Sequence, residues 1–110
     1  MPRTTNDLIR RVLGLLEVVA AGQPVAVEDA ELVRATLPSV RADLSARGVA
    51  VVADTDAIDD AAFLPLAELV AAAVAADFGV AAPDRSAAEL RLRAQQPTGE
   101  TGEPIEAEYF

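Results

Sequence analysis

Hydrophobic residues recur every three or four positions along the first part of the chain, which is the spacing of one face of an α-helix. The first apolar stripe comprises Leu8, Ile9, Val12, Leu13, Leu16, Val19 and Ala20. One of the polar residues at positions 5–7 can cap this helix, and Gly22 and Pro24 can end it. The pattern therefore predicts a first helix over about residues 6–21.

A second apolar stripe follows a short connector and predicts a longer helix. Its members are Ala30, Val33, Leu37, Val40 and Leu44. The acidic residues at 28–31 suit a helix start, because negative charge is favourable near the positive end of the helix dipole. Pro38 lies inside the stripe and cannot donate a backbone hydrogen bond, so we expect a kink or a break there. Gly48 is the expected stop.

The next segment, VAVVAD at residues 49–54, is rich in β-branched residues but isolated between Gly48 and the acidic TDAIDD. Two interpretations are open. The segment is either an extended connector or a strand that pairs with a neighbouring subunit, since unpaired strand edges are templates for association.

A third helix is predicted from Asp59 or Asp60 to Gly79. One face of it carries Phe63, Leu66, Ala67, Val70, Ala73, Val74 and Phe78. The surrounding run, residues 63–82, is long enough to span a membrane, but Pro65, Glu68 and Asp77 interrupt it, so we expect a packed helix and no membrane partner.

A short fourth helix is predicted after residue 82. Pro83 suits its first position, and its charged surface surrounds the apolar residues Ala87, Leu90 and Ala94.

The predicted fold is all-α: a small helical bundle of about four helices over residues 1–96, followed by an extended C-terminal segment, residues 97–110. The C-terminal segment contains two prolines, two glycines and four glutamates, so it cannot bury enough apolar surface to fold alone. The predicted core comprises Leu13, Leu16, Val33, Leu37, Val40, Phe63, Leu66, Val70 and Val74.

Composition narrows the classes of function. Eighteen acidic residues oppose nine basic ones, all arginine, which gives a formal net charge of -9. Such a charge argues against nonspecific attraction to nucleic acid or anionic lipid. The chain lacks cysteine and histidine, which excludes a thiol nucleophile, a thiolate metal site and the commonest general base. The start MPRTTNDL shows no signal-peptide pattern, so we expect a protein that is not secreted.

Two acidic clusters are the candidate catalytic groups: Glu28, Asp29 and Glu31, and then Asp54, Asp56, Asp59 and Asp60. Both clusters lie at predicted helix starts, where capping explains carboxylates. DTDAIDD also lacks the central glycine and the distal glutamate of an EF-hand calcium loop. We therefore predict no catalytic, cofactor or metal site. A carboxylate-metal enzyme stays open only if the two clusters converge in the fold.

Three features together resemble the bacteriophage head-to-tail adaptor family, which includes the podovirus tail accessory factor. The first is the start NDLIRRVLGLLEVVAAGQPV with the acid-opened VEDAELVRATLPSVRADLSARGV. The second is VVADTDAIDDAAFLPLAELVAAAVAADFGV, with its acidic turn, LPLAELVA run and closing DFG. The third is LRLRAQQPTGETGEPIEAEYF, which ends in Tyr-Phe. The resemblance covers nearly the whole chain and depends on the order of these features.

The resemblance implies a structural virion protein, made in the host cytoplasm and located in the neck of the particle. Copies of the chain would form a ring, commonly of twelve, under the portal protein and above a downstream tail or stopper protein, with genomic DNA passing through the channel without specific binding. It also implies that the C-terminal segment leaves its own subunit and docks on the portal. The expected docking residues are Ile105, Glu106, Glu108, Tyr109 and Phe110.

A different class of function remains open from the residues alone. The same helices and C-terminal segment suit a small cytosolic helical adaptor or regulator whose C-terminal segment is a recognition peptide. This alternative allows a dimer. The size of the assembly formed with a portal separates this alternative from the phage connector.

Overall fold

The computed structural model describes residues 3–20, 22–50, 52 and 54–95. It contains four α-helices: α1 (Thr5–Leu15), α2 (Val27–Ala46), α3 (Asp60–Val74) and α4 (Arg85–Ala94). A short 3-10 helix, Ala75–Phe78, extends α3. The described residues form no β-strand, only an isolated antiparallel bridge between Arg3 and Ile58. The predicted all-α fold of about four helices is confirmed, and the C-terminal segment lies outside the described residues.

Helix α3 is the centre of the bundle. It packs against α1, α2 and α4, and α1 also packs against α2. The stretch Asp60–Phe78 is long and apolar enough by length and composition to cross a membrane, but half of it is buried inside the bundle. Residues on most sides of α3 are buried, including Leu69 and Ala71 outside the predicted face, whereas Ala73 of that face is exposed. The apolar character of α3 is thus used in contacts with three other helices.

The core contains every predicted core residue except Val40, which is half-buried at its edge. The buried ones are Leu13, Leu16, Val33, Leu37, Phe63, Leu66, Val70 and Val74. Burial of such side chains is the main stabilising contribution, about 1.5–3 kcal/mol for each large aliphatic or aromatic one.

Helix α1 begins earlier than predicted, because Thr4 caps it and none of residues 5–7 does. The backbone N–H of Asp7 donates to Thr4 Oγ1 (3.2 Å), and the backbone N–H of Thr4 donates to Asp7 Oδ2 (3.0 Å). This reciprocal pair is a capping box. The hydrogen bond from the Thr4 backbone lowers the pKa of Asp7, since it stabilises the carboxylate.

Helix α1 also ends earlier than predicted, at Leu15 and not near residue 21. Glu17 adopts a left-handed conformation with φ 61°. Its N–H donates to the Gly14 carbonyl (3.1 Å), and the N–H of Val18 donates to the Leu13 carbonyl (2.9 Å). This pair of bonds is a Schellman motif, which usually places glycine at the left-handed position. The end of α1 therefore has no glycine to mark it in the sequence, and the prediction that α1 ends at Gly22 is wrong.

Helix α2 runs without interruption from Val27 to Ala46, so of the two outcomes predicted at Pro38 the break is wrong, and the kink stays a prediction. Pro38 is exposed, and water can satisfy the Arg34 carbonyl that loses its donor on this side of the helix. Gly48 ends the helix as predicted, with φ 69°. The N–H of Val49 then donates to the Leu44 carbonyl (2.9 Å), and both side chains are buried.

The run 49–54 enters the core at its first two residues and is half-buried at Val52. Arg41 Nε donates to the Val52 carbonyl (2.9 Å), which fastens the run to α2. The described residues of this run form no strand, which agrees with an extended connector. Pairing with a neighbouring subunit stays a prediction.

Helix α4 presents a different face from the predicted one. Asp84 caps it by accepting from the Ser86 N–H (3.0 Å), so Pro83 precedes the helix. Ala88 and Leu92 are buried against the bundle, whereas Leu90 is 68% exposed. The predicted members Ala87 and Ala94 are exposed as well. The apolar residues of α4 are few, so the side that faces the core was ambiguous from periodicity.

Candidate functional site

The predicted portal-docking residues lie outside the described residues. They are Ile105, Glu106, Glu108, Tyr109 and Phe110. The candidate sites that can be described lie within residues 3–95.

The two acidic clusters have local roles. Glu28 and Asp29 occupy the first turn of α2, and Asp54 Oδ1 accepts from the backbone N–H of Asp56 (2.9 Å) in a turn. Asp59 is the N-cap residue of α3 through its backbone. Within the described residues no three acidic side chains come close enough to hold a metal ion. The convergence that a carboxylate-metal site requires is thus not met there.

The second acidic cluster instead joins the beginning of the chain to the loop before α3. Arg3 and Ile58 exchange two backbone hydrogen bonds of 2.9 and 2.8 Å. The backbone N–H of Thr5 donates to Asp56 Oδ1 (3.1 Å), and Thr5 Oγ1 donates to Thr55 Oγ1 (2.8 Å). The hydrogen bond from the Thr5 backbone lowers the pKa of Asp56, since it stabilises the carboxylate. We name this set of contacts, between residues 3–5 and 55–60, the N-terminal clasp.

Arg3 extends the N-terminal clasp onto α3. Its guanidinium lies over the ring of Phe63, 4.5 Å from the ring centroid, in a cation–π contact. The Nε atom also donates to Asp60 Oδ1 at 3.2 Å. Both side chains of this ion pair are about half exposed or more, so the pair contributes little stability by itself. Its effect is to hold Arg3 at the end of α3.

Arg3 forms one wall of a surface depression of about 410 Å³, which we name the basic groove. The residues that line it are Arg3, Asp7, Arg10, Arg11, Gly14, Val19, Ala20, Gly22 and Phe63. Three arginines and one aspartate make it locally positive, in a chain whose net charge is -9. The basic groove is the strongest candidate for a binding surface in the described part of the chain.

The amphipathic pattern of α1 positions this groove. Asp7, Arg10, Arg11 and Gly14 are spaced by three and four residues, so they share the face opposite the buried stripe of α1. Sequence reasoning followed the apolar stripe and passed over this face. The spacing of the α1 residues in the sequence was sufficient to predict this polar face. The contributions of Arg3 and Phe63 depend on the N-terminal clasp, which the sequence does not reveal.

A second depression, of about 520 Å³, lies between α1 and α2. Arg34 and Arg41 line it together with Asp56. Arg34 donates to Asn6 Oδ1 (3.2 Å) and Arg41 to the Val52 carbonyl, so both arginines are engaged in holding neighbouring segments. This depression is less suited to a ligand than the basic groove.

A charged network fastens α4 to α2. Arg47 donates twice to Glu89, at 3.1 and 2.8 Å, and also pairs with Asp43. Arg85 lies 3.6 Å from both acids. The hydrogen bonds that Arg47 donates lower the pKa of Glu89, and because Glu89 and Asp43 accept them, they also raise the pKa of Arg47. The network is structural, because it orients a helix that buries only Ala88 and Leu92.

No family model, curated protein or solved structure matches this chain.

Proposed function

We propose that the protein is a structural component of a tailed phage, a head-to-tail adaptor that forms a ring between the portal protein and a downstream tail or stopper protein. The ring, of about twelve copies by family resemblance, extends the channel for DNA. The observation that carries the proposal is the order of elements along the chain: four helices, the third of them central and apolar, and then the acidic C-terminal segment with Tyr109 and Phe110.

The described structure supports an interaction role in two further ways. Its carboxylates are used for caps, turns and ion pairs, as at Asp7, Asp54 and Glu89. Large apolar side chains are exposed on separate helices, Val27 at 73% on α2 and Leu90 at 68% on α4, and contacts with neighbouring subunits can bury them. A subunit of a ring needs contacts on two sides and with the ring stacked on it.

Native mass spectrometry tests the ring. The isolated chain, of 11.4 kDa, is expected as a monomer or a weakly associated species, because its core is small. With the portal protein encoded in the same genome, the expected gain is the mass of about twelve copies, roughly 140 kDa. A stable dimer that ignores the portal would contradict the proposal and favour the cytosolic adaptor.

Substitutions in the full-length chain test the docking residues. Tyr109→Ala with Phe110→Ala removes the aromatic anchors, and we expect loss of portal binding, since buried aromatic residues dominate many interfaces. The matched control replaces Glu103, Glu106 and Glu108 by glutamine, which should weaken binding only moderately and mainly at low salt. Unchanged capture of the aromatic double variant on purified portal, with normal helicity, would remove the docking role from these residues.

A further inference from the structure

The basic groove has cationic donors that the rest of the described structure does not use. Among the described residues, Arg11 makes no hydrogen bond or ion pair, and the guanidinium of Arg10 contacts only the Gln23 carbonyl at 3.0 Å. Asp7, the acid of the groove, is already engaged in the capping box of α1. Guanidinium groups bind carboxylates well, because their donors match the two carboxylate oxygens. The arginines of the groove therefore have donors available for an anionic group.

The chain itself contains a segment of complementary chemistry. The C-terminal segment carries four of the eighteen acidic residues, Glu100, Glu103, Glu106 and Glu108, and no basic residue. Its apolar residues, Ile105, Tyr109 and Phe110, are interspersed with or follow these acids. The groove offers the same mixture, since Val19, Ala20 and the ring of Phe63 lie among its arginines.

The length of this segment allows it to reach the groove. Helix α4 packs against α3 after the turn at Gly79, and Arg91 on α4 pairs with Glu68 on α3 (3.1 Å). Gln95, the last described residue, is one helical turn beyond Arg91. Phe63 is part of the groove. The fifteen residues 96–110 can span up to about 50 Å when extended.

We propose that the C-terminal segment, residues 97–110, docks in the basic groove of its own subunit when the protein has no partner. This goes beyond the ring function, because it concerns the isolated chain. Docking would shield the residues with which the protein binds a partner, and a partner would first have to displace them. The apparent affinity for that partner is then lower than the affinity of the undocked form, in proportion to the undocked fraction.

Tyr109 provides a specific probe in the unmodified protein, because the chain has one tyrosine and no tryptophan. We expect the fluorescence anisotropy of Tyr109 at low salt to correspond to rotation of the whole protein. It should fall as the salt concentration rises to about 1 M, where the Debye length is about 3 Å and the attraction is screened. At low salt this anisotropy should not change with protein concentration, because the segment docks within one subunit. An anisotropy that rises with protein concentration would overturn this proposal and indicate docking between copies.

A charge reversal in the groove tests the site. Arg11→Glu should lower the ratio of docked to undocked segment by about tenfold, since an attraction becomes a repulsion. The matched control is Arg93→Glu, which reverses an exposed helical arginine outside the groove and should leave the anisotropy unchanged. Circular dichroism establishes that both variants keep their helices.

A charge swap completes the test. Combining Arg11→Glu with Glu106→Arg should restore the anisotropy toward that of the unmodified protein. Low anisotropy in the unmodified protein, equal effects of the two arginine variants, or no recovery in the swap would each overturn the proposal. None of these results depends on the portal, so failure of docking and failure of the ring function are distinguishable.

Discussion

Glu17 is the residue at which a single substitution should most directly stabilise the protein. Its φ of 61° lies in the left-handed region, where the Cβ of an L-residue meets the following carbonyl oxygen. The cost of this conformation is about 1–2 kcal/mol for a residue other than glycine. The Glu17 side chain forms no hydrogen bond or ion pair within the described residues that would offset this cost. Glu17→Gly should therefore relieve strain without removing a contact.

The net gain is smaller than the strain, because glycine also has more conformational freedom in the unfolded chain. That freedom favours unfolding by about 0.5–1 kcal/mol. The two backbone hydrogen bonds of the motif, from Glu17 N–H to Gly14 and from Val18 N–H to Leu13, remain in the variant. We expect a net increase of about 0.5–1 kcal/mol in the free energy of unfolding, and hence a rise of roughly 2–8 °C in Tm for a domain of this size.

Thermal and urea unfolding followed by circular dichroism measure the effect. Glu17→Ala is the control, because it removes the carboxylate but keeps the Cβ, and its stability should stay within about 0.5 kcal/mol of the unmodified protein. Gly48→Ala and Gly79→Ala form the inverse test. Both glycines have φ 69° and no atom within 4 Å of an added Cβ, so a loss of about 1 kcal/mol would come from the backbone alone.

The comparison of Glu17→Gly with Glu17→Ala tests whether the backbone at Glu17 is strained. If Glu17→Gly were no more stable than Glu17→Ala, the left-handed conformation of Glu17 would carry no strain, and the account of how α1 ends would be wrong.

Three further predictions concern the core, α2 and the dependence of stability on pH. Leu66→Ala should lower the free energy of unfolding by about 2–5 kcal/mol, and Val40→Ala by clearly less, because Leu66 is 1% exposed and Val40 is half-buried; equal losses in urea unfolding would contradict this. Pro38→Ala should stabilise the protein by roughly 1–2 kcal/mol, because the backbone N–H of alanine restores a helix hydrogen bond. This gain outweighs the loss of the proline, which reduces the conformational entropy of the unfolded chain. A lower Tm for the variant would show that the pyrrolidine ring of Pro38 makes a stabilising contact. The pKa values of Glu89 and Asp56 are lower in the folded protein than in the unfolded chain, so these carboxylates stabilise the fold fully above about pH 5. This stabilisation is lost as the pH falls through their pKa values in the folded protein. Urea midpoints that do not decline between about pH 5 and 3 would contradict this prediction.

Local signals in the sequence were sufficient for the fold class and for most of the core. The apolar stripes predicted the helices, and Gly48 and Gly79 marked helix ends where the backbone is left-handed. The apolar run of the third helix indicated a buried element, which lies at the centre of the bundle. These features depend on periodicity and on backbone preferences over a few residues, and a sequence displays both directly.

The tertiary structure decided what depends on contacts between distant segments. Just beyond the end of α1, Glu17 adopts a left-handed conformation that its residue type disfavours, between the buried Leu16 and the half-buried Val18. Helix α4 buries Leu92 and exposes Leu90, because α3 and the ion pairs to α2 select one side of a helix with few apolar residues. The basic groove exists because the N-terminal clasp sets Arg3 beside Phe63, sixty residues away in sequence. The periodicity of a sequence shows which residues share one face of a helix. Which faces of different helices contact each other is decided only by the tertiary packing of the chain.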